Sequence, residues 1–292
     1  MHLLAIALLA QATMATAAEL RWPVVLPMLM EKNLPLVQVT VNGAQTLTFI
    51  LDSAAANCVV DRARAAALGL NESGSAISSG SGGAQQVGLL VGVHLNLGEL
   101  EIRPPRSITF DMKSLAFQSP VAGILGFPLF GKYIVEIDYP GSRVRIFQPG
   151  SYQPSPTADM LPIRMTIGPV VRGSIRVRGQ RPIEADMQLD TGSAHVLTIC
   201  SPFVDRHQLL DSADEVAPGT TRGFGGATVD MVGRIEEVRI GRFAADKPVV
   251  RFSRQTTGTL GSEQHYSANL GGEFMKNYKV TFDIPGSRLF LE

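Results

Sequence analysis

The segment QLDTGSAH, residues 188–195, places an aspartate directly after an apolar run and follows it with Thr-Gly-Ser. An earlier segment, ILDSAAAN at residues 50–57, repeats this arrangement with Asp52 and a following serine. The copies differ two residues after the acid, where the later one has Gly192 and the earlier one has Ala54. A single Asp-Thr-Gly is most simply a turn held by a side-chain-to-backbone hydrogen bond. Two copies in one chain favour a shared function instead.

Further pairs of matching segments surround these two copies in the same order. The clearest pair is YIVEIDYPGSRVRIF at residues 133–147 and YKVTFDIPGSRLFLE at residues 278–292, each typical of strand, tight turn and strand. Directly upstream lie ILGFPLF at residues 124–130 and NLGGEFM at residues 269–275. Because chance rarely matches so many features in one order, the sequence predicts an internal duplication.

The duplication predicts two related, mostly β lobes. We place them at residues 19–150 and 151–292, joined within the Pro- and Ser-rich segment 148–159. Helices are expected to be short, in DRARAAALGL after the first acid and in PFVDRHQLL after the second.

Each predicted lobe also has a glycine-rich hairpin after its acid. The tips lie in SGSGGAQQVGLL, residues 79–90, and in RGFGGATVDMVG, residues 222–233. Their central glycines are Gly82, Gly83, Gly225 and Gly226. Mobile hairpins of this kind can close over a bound substrate and exclude water.

Composition limits the classes of partner. The chain has 292 residues, with 26 Lys and Arg against 26 Asp and Glu, so its formal net charge is zero. This balance argues against nucleic acid as a partner, because phosphate binding needs an excess of positive charge. The five histidines are scattered and the cysteines lack a neighbouring histidine, which predicts neither a metal nor a cofactor.

The N-terminal segment MHLLAIALLAQATMATAAEL predicts a signal peptide at residues 1–18. Its apolar run is too short for a permanent membrane span, although an uncleaved anchor is an alternative. We therefore expect export to the periplasm or secretion, with no membrane span after signal removal. Cys58 and Cys200 then either form a disulfide or are two small buried side chains, and we favour the second interpretation.

The duplicated acids point to a particular chemistry. A pseudo-twofold axis can bring equivalent loops together, so Asp52 and Asp190 can meet at it. Two adjacent carboxylates cannot easily both ionise, and such a pair holds one proton over a wide pH range. The ionised partner can then take a proton from an attacking water while the protonated partner hydrogen-bonds the carbonyl oxygen. A Ser193–His195 catalytic arrangement is less favoured, because no nucleophile elbow surrounds the serine.

Together these segments resemble the aspartic proteases, particularly the retropepsin-like bacterial group with two tandem lobes. The resemblance implies two pseudo-symmetric β-barrel lobes with short helices and flap hairpins. It implies that Asp52 and Asp190 are the catalytic pair, and that Ser53, Thr191 and Gly192 support this dyad. It further implies an extended peptide or protein substrate, no cofactor or metal, and a monomer that forms an intramolecular pseudo-dimer.

The first lobe departs from the family pattern at Ala54, where the family has glycine. Only glycine allows a very close backbone approach and adopts positive φ freely. Two interpretations remain open: a tolerated variant in an active aspartic endopeptidase, or a catalytically impaired, peptide-binding pseudoprotease. We favour activity, because Asp52 and Ser53 are both retained. A structural exported β protein that only mimics the family is the least favoured alternative.

Overall fold

The computed structural model describes residues 20–115, 117 and 120–292. The predicted signal peptide, residues 1–18, lies outside the described residues. Within them, no helix is long and apolar enough to cross a lipid bilayer.

The described residues form a mostly β structure, as the sequence predicts. The strands of the first half are β1 (Val24–Pro27), β2 (Leu29–Glu31), β3 (Leu34–Val41), β4 (Gln45–Leu51), β5 (Cys58–Asp61), β6 (Gly74–Gly80), β7 (Gly83–Leu90), β8 (Leu95–Leu97), β9 (Leu100–Ile102), β10 (Ser107–Phe110), β11 (Val121–Leu125), β12 (Ile134–Asp138) and β13 (Arg143–Phe147). The strands of the second half are β14 (Asp159–Pro162), β15 (Arg164–Met165), β16 (Pro169–Arg176), β17 (Ile183–Asp190), β18 (Leu197–Ile199), β19 (Asp214–Gly223), β20 (Gly226–Arg234), β21 (Glu237–Ile240), β22 (Phe243–Asp246), β23 (Val249–Ser253), β24 (Ala268–Gly271), β25 (Lys279–Asp283) and β26 (Arg288–Leu291).

Helices are short, in agreement with the sequence-based expectation. The α-helices are α1 (Arg62–Ala67), α2 (Phe127–Phe130), α3 (Ser201–Arg206) and α4 (Gly272–Met275), and 3₁₀ turns span Met112–Leu115, Leu209–Ser212 and Thr259–Gly261. α1 begins where the side chain of Asp61 accepts a hydrogen bond from the backbone N–H of Arg64 at 3.1 Å. Helices α1 and α3 lie in the two segments for which helices were predicted.

Two large sheets, one from each half of the chain, have the same strand order. The first runs β6-β7-β10-β5-β11-β4-β3-β8-β9, with β2 beside β3. The second runs β19-β20-β23-β18-β24-β17-β16-β21-β22, with β15 beside β16. Each strand of one sheet therefore has a counterpart at the same place in the other, which is the arrangement expected from an internal duplication. We refer to these two halves as lobe 1 and lobe 2.

A third, six-stranded sheet joins the lobes in the order β1-β13-β12-β25-β26-β14. Among the described residues, its only pairing between the two halves is β12 with β25, in which Val135 lies opposite Phe282. The Pro-Gly turns after these two strands are closed by Asp138 and Asp283, which accept the backbone N–H groups of Gly141 and Gly286 at 2.9 Å. These two acids are therefore turn residues.

The strand before each acid has one face in the core of its lobe. The core-facing residues are Leu47, Phe49 and Leu51 in β4 and Ala185, Met187 and Leu189 in β17. Because side chains alternate along a strand, Asp52 shares the opposite face with Ile50, and Asp190 shares it with Gln188. Both acids therefore point away from the cores and into the cleft between the lobes.

Both cysteines are free and buried in the fold. Cys58 lies in the main apolar core and Cys200 in a small cluster that also contains Tyr266. The interpretation as two small buried side chains is the one that the structure supports.

Candidate active site

The two acids lie at equivalent places in the two sheets. Asp52 directly follows β4, which is parallel to β11, and Asp190 is the last residue of β17, which is parallel to β24. The backbone N–H of Asp52 donates to the carbonyl oxygen of Leu125 at 3.0 Å, which ties the first loop to its neighbouring strand. Each acid is thus held at the carboxyl end of a strand whose other face lies in the core of its lobe.

A reciprocal set of hydrogen bonds joins the two acidic loops. The Thr191 hydroxyl donates to the carbonyl oxygen of Leu51 at 2.7 Å and accepts the backbone N–H of Ser53 at 2.9 Å. The Ser53 hydroxyl donates to the carbonyl oxygen of Leu189 at 2.8 Å and accepts the backbone N–H of Thr191 at 3.1 Å. Both hydroxyl residues are buried, so these bonds are shielded from water and fix the loops against each other.

The carboxyl groups of Asp52 and Asp190 are hydrogen-bonded to each other. Asp52 Oδ1 accepts the backbone N–H groups of Ala54 and Ala55, both at 2.9 Å. Asp190 Oδ1 accepts the backbone N–H of Gly192 at 2.9 Å. The structure therefore brings together all five residues that the resemblance implies for the dyad and its support.

The second carboxylate has one additional partner, Asn269. Its side-chain amide donates from Nδ2 to Asp190 Oδ2 at 2.6 Å. At the equivalent register position of lobe 1 lies Ile124, which cannot donate a hydrogen bond to Asp52. The segments ILGF and NLGG align in the sequence, but the shared pattern assigns this asparagine no role. The Ile-to-Asn difference between the two segments was the available signal.

This asymmetry separates the two acids electrostatically. Burial, and secondarily the negative charge of Asp190, raises the pKa of Asp52 to about 8. Burial also raises the pKa of Asp190, but the hydrogen bonds from Asn269, Gly192 and Asp52 oppose this effect. These unequal environments favour the shared proton on Asp52 and the negative charge on Asp190.

Gly192 lies directly against the carboxyl group of Asp52. A Cβ atom at position 192 would overlap Cγ and Oδ2 of that side chain. Neither Gly192 nor Ala54 has a positive φ, so the requirement for glycine in lobe 2 is one of space and not of backbone conformation. Ala54 keeps its backbone bond to Asp52, and the first loop accommodates its methyl group.

The Leu-Gly pairs of the two sequence repeats pack behind the acidic loops. A Cβ atom at Gly126 would overlap the carbonyl oxygen of Ala55, and one at Gly271 would overlap that of His195. His195 itself lies 3.4 Å from the Thr221 hydroxyl through Nε2. Burial, aided by the charge of Arg251, lowers the pKa of His195 to about 4, so this imidazole is neutral at pH 7.

The two predicted flap hairpins are β6–β7 and β19–β20, and their tips meet. The backbone N–H of Gly82 donates to the carbonyl oxygen of Phe224 at 2.9 Å. Side chains at Gly82 or Gly225 would overlap the backbone of the opposite tip. Gly83, Gly225 and Gly226 adopt positive φ values of 122°, 89° and 129°, which favours glycine there.

The tips lie over a cleft of about 990 Å³ that is lined by both acids and both hairpins. Fold and site together define a two-lobed β protein with a roofed cleft and a paired-carboxylate centre. Residues 37–129, which contain Asp52 and the first hairpin, match the family model of the aspartyl proteases. This match supports an aspartic protease family, in agreement with the resemblance. No curated protein matches the chain.

Proposed function

We propose that this chain is an aspartic endopeptidase that hydrolyses peptide bonds with a water molecule activated between Asp52 and Asp190. The observation that carries the proposal is the unequal environment of two hydrogen-bonded carboxyl groups, one in each lobe. A proton on Asp52 and a charge on Asp190 are the states that general acid and general base catalysis require.

The reaction follows from these two protonation states. Asp190 takes a proton from the water as the water oxygen bonds to the peptide carbonyl carbon, and Asp52 gives its proton to the carbonyl oxygen. The product of this step is a gem-diol. Asp190 then protonates the amide nitrogen, the C–N bond breaks, and Asp52 recovers a proton from one hydroxyl as the carboxylic acid forms.

The cleft also supports an extended peptide as substrate. It reaches from lobe 1 to lobe 2, and residues of both joined hairpins line it. One chain supplies both acids and both hairpins, so we propose that the monomer is the active form and that no metal or cofactor takes part. We also propose that the protein is exported, on the basis of the N-terminal sequence.

Two features of the first loop favour an enzyme over a peptide-binding pseudoprotease. Ala54 has no positive φ, so its side chain causes no backbone strain. Its N–H, together with that of Ala55, still holds Asp52 Oδ1 at 2.9 Å. These two bonds hold the proposed general acid in place with alanine at position 54.

The test is cleavage of a diverse peptide mixture, followed by mass spectrometry, across about pH 3 to 9, which covers the range of a shared-proton carboxyl pair. Asp52→Asn and Asp190→Asn should each lose cleavage, while the exposed Asp211→Asn is a matched control that should retain it. Cleavage that survives in both dyad variants would refute the mechanism. An inactive parent that gains activity in Ala54→Gly would identify a pseudoprotease instead.

Export is tested separately by the mass and N-terminal sequence of the chain recovered from periplasmic extract or medium. A full-length chain found only in the cytosol would contradict it.

A further inference from the structure

The two walls of the cleft are built from the same sheet positions but differ in chemistry. In each lobe, one row of residues crosses four neighbouring strands in register. Residues in such a row project from the same face of the sheet. The cleft-lining members are Ile108, Val59, Ile124 and Ile50 in lobe 1 and Arg251, Thr198, Asn269 and Gln188 in lobe 2.

The lobe 1 wall is wholly apolar at these positions. It continues through Val87 and Phe110 into a separate apolar cluster of that lobe. Phe224, from the tip of the lobe 2 hairpin, packs edge-on against Phe110 with ring centroids 5.0 Å apart. The equivalent residue in the lobe 1 hairpin is Ser81, at the same place between two glycines. The hairpin of lobe 2 therefore completes an apolar pocket on the opposite wall.

The lobe 2 wall is polar, and its charges are internally balanced. Asp230 takes the place of Val87, and its Oδ2 accepts from the Thr228 hydroxyl at 2.9 Å and from Arg251 Nη1 at 3.2 Å. Asp230 is 1% exposed, so its pairing with Arg251 is largely shielded from water. His195 is neutral at pH 7, for the reasons given above. The wall thus offers hydrogen bonds without a net charge of its own.

Two acceptors on this wall have no hydrogen-bond partner among the residues that the structure describes. They are Asp230 Oδ1 and Asn269 Oδ1, both buried. An unpaired buried acceptor destabilises its surroundings, so a substrate group that donates to it strengthens binding. Both orphan atoms are acceptors, so the complementary group is a donor.

We propose that the lobe 2 wall is a subsite for an uncharged amide side chain, Asn or Gln, and that the lobe 1 wall takes an apolar side chain. A primary amide has two N–H groups for the unpaired acceptors and an oxygen for Arg251. A lysine would meet the Arg251 cation, and an acidic side chain would meet Asp230 and the unpaired acceptors. The preferred peptides therefore carry an apolar and an amide residue on opposite sides of the bond that is cut. This inference rests on the proposed peptidase function.

The first test uses matched peptides that differ only in the residues flanking the bond that is cut. Pairs of Leu with Asn, Gln, Leu, Lys or Glu are compared in both orders. The better of the two orders of Leu with Asn or Gln should be cleaved with a kcat/KM at least about tenfold above that of the Leu–Leu peptide. A factor of about ten corresponds to roughly one hydrogen bond. Equal or better cleavage of Leu–Leu, or a preference for Lys or Glu, would overturn the subsite.

The second test gives the lobe 2 wall the residues of lobe 1. The double variant Asp230→Val with Arg251→Ile copies Val87 and Ile108, and it should move the preference towards Leu–Leu by about tenfold or more. Thr198→Val copies Val59 with almost the same shape and should reduce the preference in the same direction if the double variant does not fold. Val249→Thr, at the exposed first residue of β23, does not line the cleft and is the matched control. An unchanged ratio in the folded wall variants would refute the proposal.

Binding measurements separate this inference from the proposed function. Calorimetric titration of the Asp52→Asn variant should show tighter binding of the Leu–amide peptide than of Leu–Leu. If the parent protein cleaves no peptide but the variant shows this binding preference, the peptidase proposal is refuted and the subsite proposal stands. Cleavage without any preference would refute the subsite alone.

Discussion

The loops that carry Asp52 and Asp190 have the same backbone arrangement but differ in the side chains around each acid. In both, a hydroxyl residue follows the acid and braces the opposite loop. Only the second loop has an asparagine donor for its carboxylate and a glycine pressed against the partner acid. The comparison shows that a nearly symmetric backbone can support an asymmetric division of proton and charge, because the neighbouring side chains set it.

Of the substitutions that test this comparison, Gly192→Ala should have the largest effect on activity. Its Cβ would overlap the Asp52 carboxyl group, so the acid must move from its place beside Asp190. A displacement of this kind costs about 10²-fold in rate. We expect kcat/KM to fall by about that factor, measured on the best peptide of the mixture. Activity within about twofold of the parent would show that the close approach does not matter.

Asn269→Ile makes the second loop resemble the first. Without the amide donor, the charged form of Asp190 is less stable and its pKa rises further. A hydrogen bond to a charged group is worth about 1.5–3 kcal/mol, so the acid limb of the pH–rate profile should move up by about one unit or more. The profile of kcat/KM is the measurement, and an unmoved acid limb would contradict the role of Asn269.

The pH profile of the unmodified protein tests the role of Asp52, the acid of the first loop. Catalysis needs a proton on Asp52, whose pKa is raised to about 8 by burial and by Asp190. Activity should therefore fall as pH rises through about 8. The Asn269→Ile variant should show this alkaline decline as well, because Asn269 contacts Asp190 and not Asp52. Full activity well above that pH would show that Asp52 is not the proton donor.

Asp52→Asn removes the costly carboxyl and should stabilise the fold. Between the ordinary value of 3.8 and about 8, the folded state holds the Asp52 proton more tightly than the unfolded state does. Stability from this group therefore declines as pH rises across that interval. The melting temperature of the variant should exceed that of the parent by an amount that grows with pH, as calorimetry can measure. A difference that is constant with pH would contradict the assignment.

Ala54→Gly should have the smallest effect. The residue has no positive φ, and its backbone bond to Asp52 is independent of the methyl group. We expect kcat/KM within about threefold of the parent, and a loss of stability of up to about 1 kcal/mol from the added chain flexibility. A large gain in activity would mean that the methyl group does impair the first loop.

The sequence predicted the repeated elements better than the contacts between them. The acids, the two hydroxyl residues and the glycine-rich hairpins are local patterns, and the structure brings them together around one cleft. Asp230 and Arg251 had no such pattern, because they become neighbours only through strand register across a sheet. Asn269 differed from its counterpart Ile124 in the aligned segments, but its role depends on the same register. The sequence also could not decide whether position 54 needs glycine for its φ or for space. That distinction depends on the path of the opposite loop.

The hydrogen bond between Gly82 and Phe224 has a consequence for the kind of chain that can be cut. With the tips joined, the cleft is a closed ring, which a free chain end can thread but an internal loop of a folded protein cannot. Such a loop enters only after the tips part, and hairpin motions of this type take microseconds to milliseconds. The protein would thus bind an unstructured tail more readily than a rigid loop of identical sequence, because only the tail has a free end to thread.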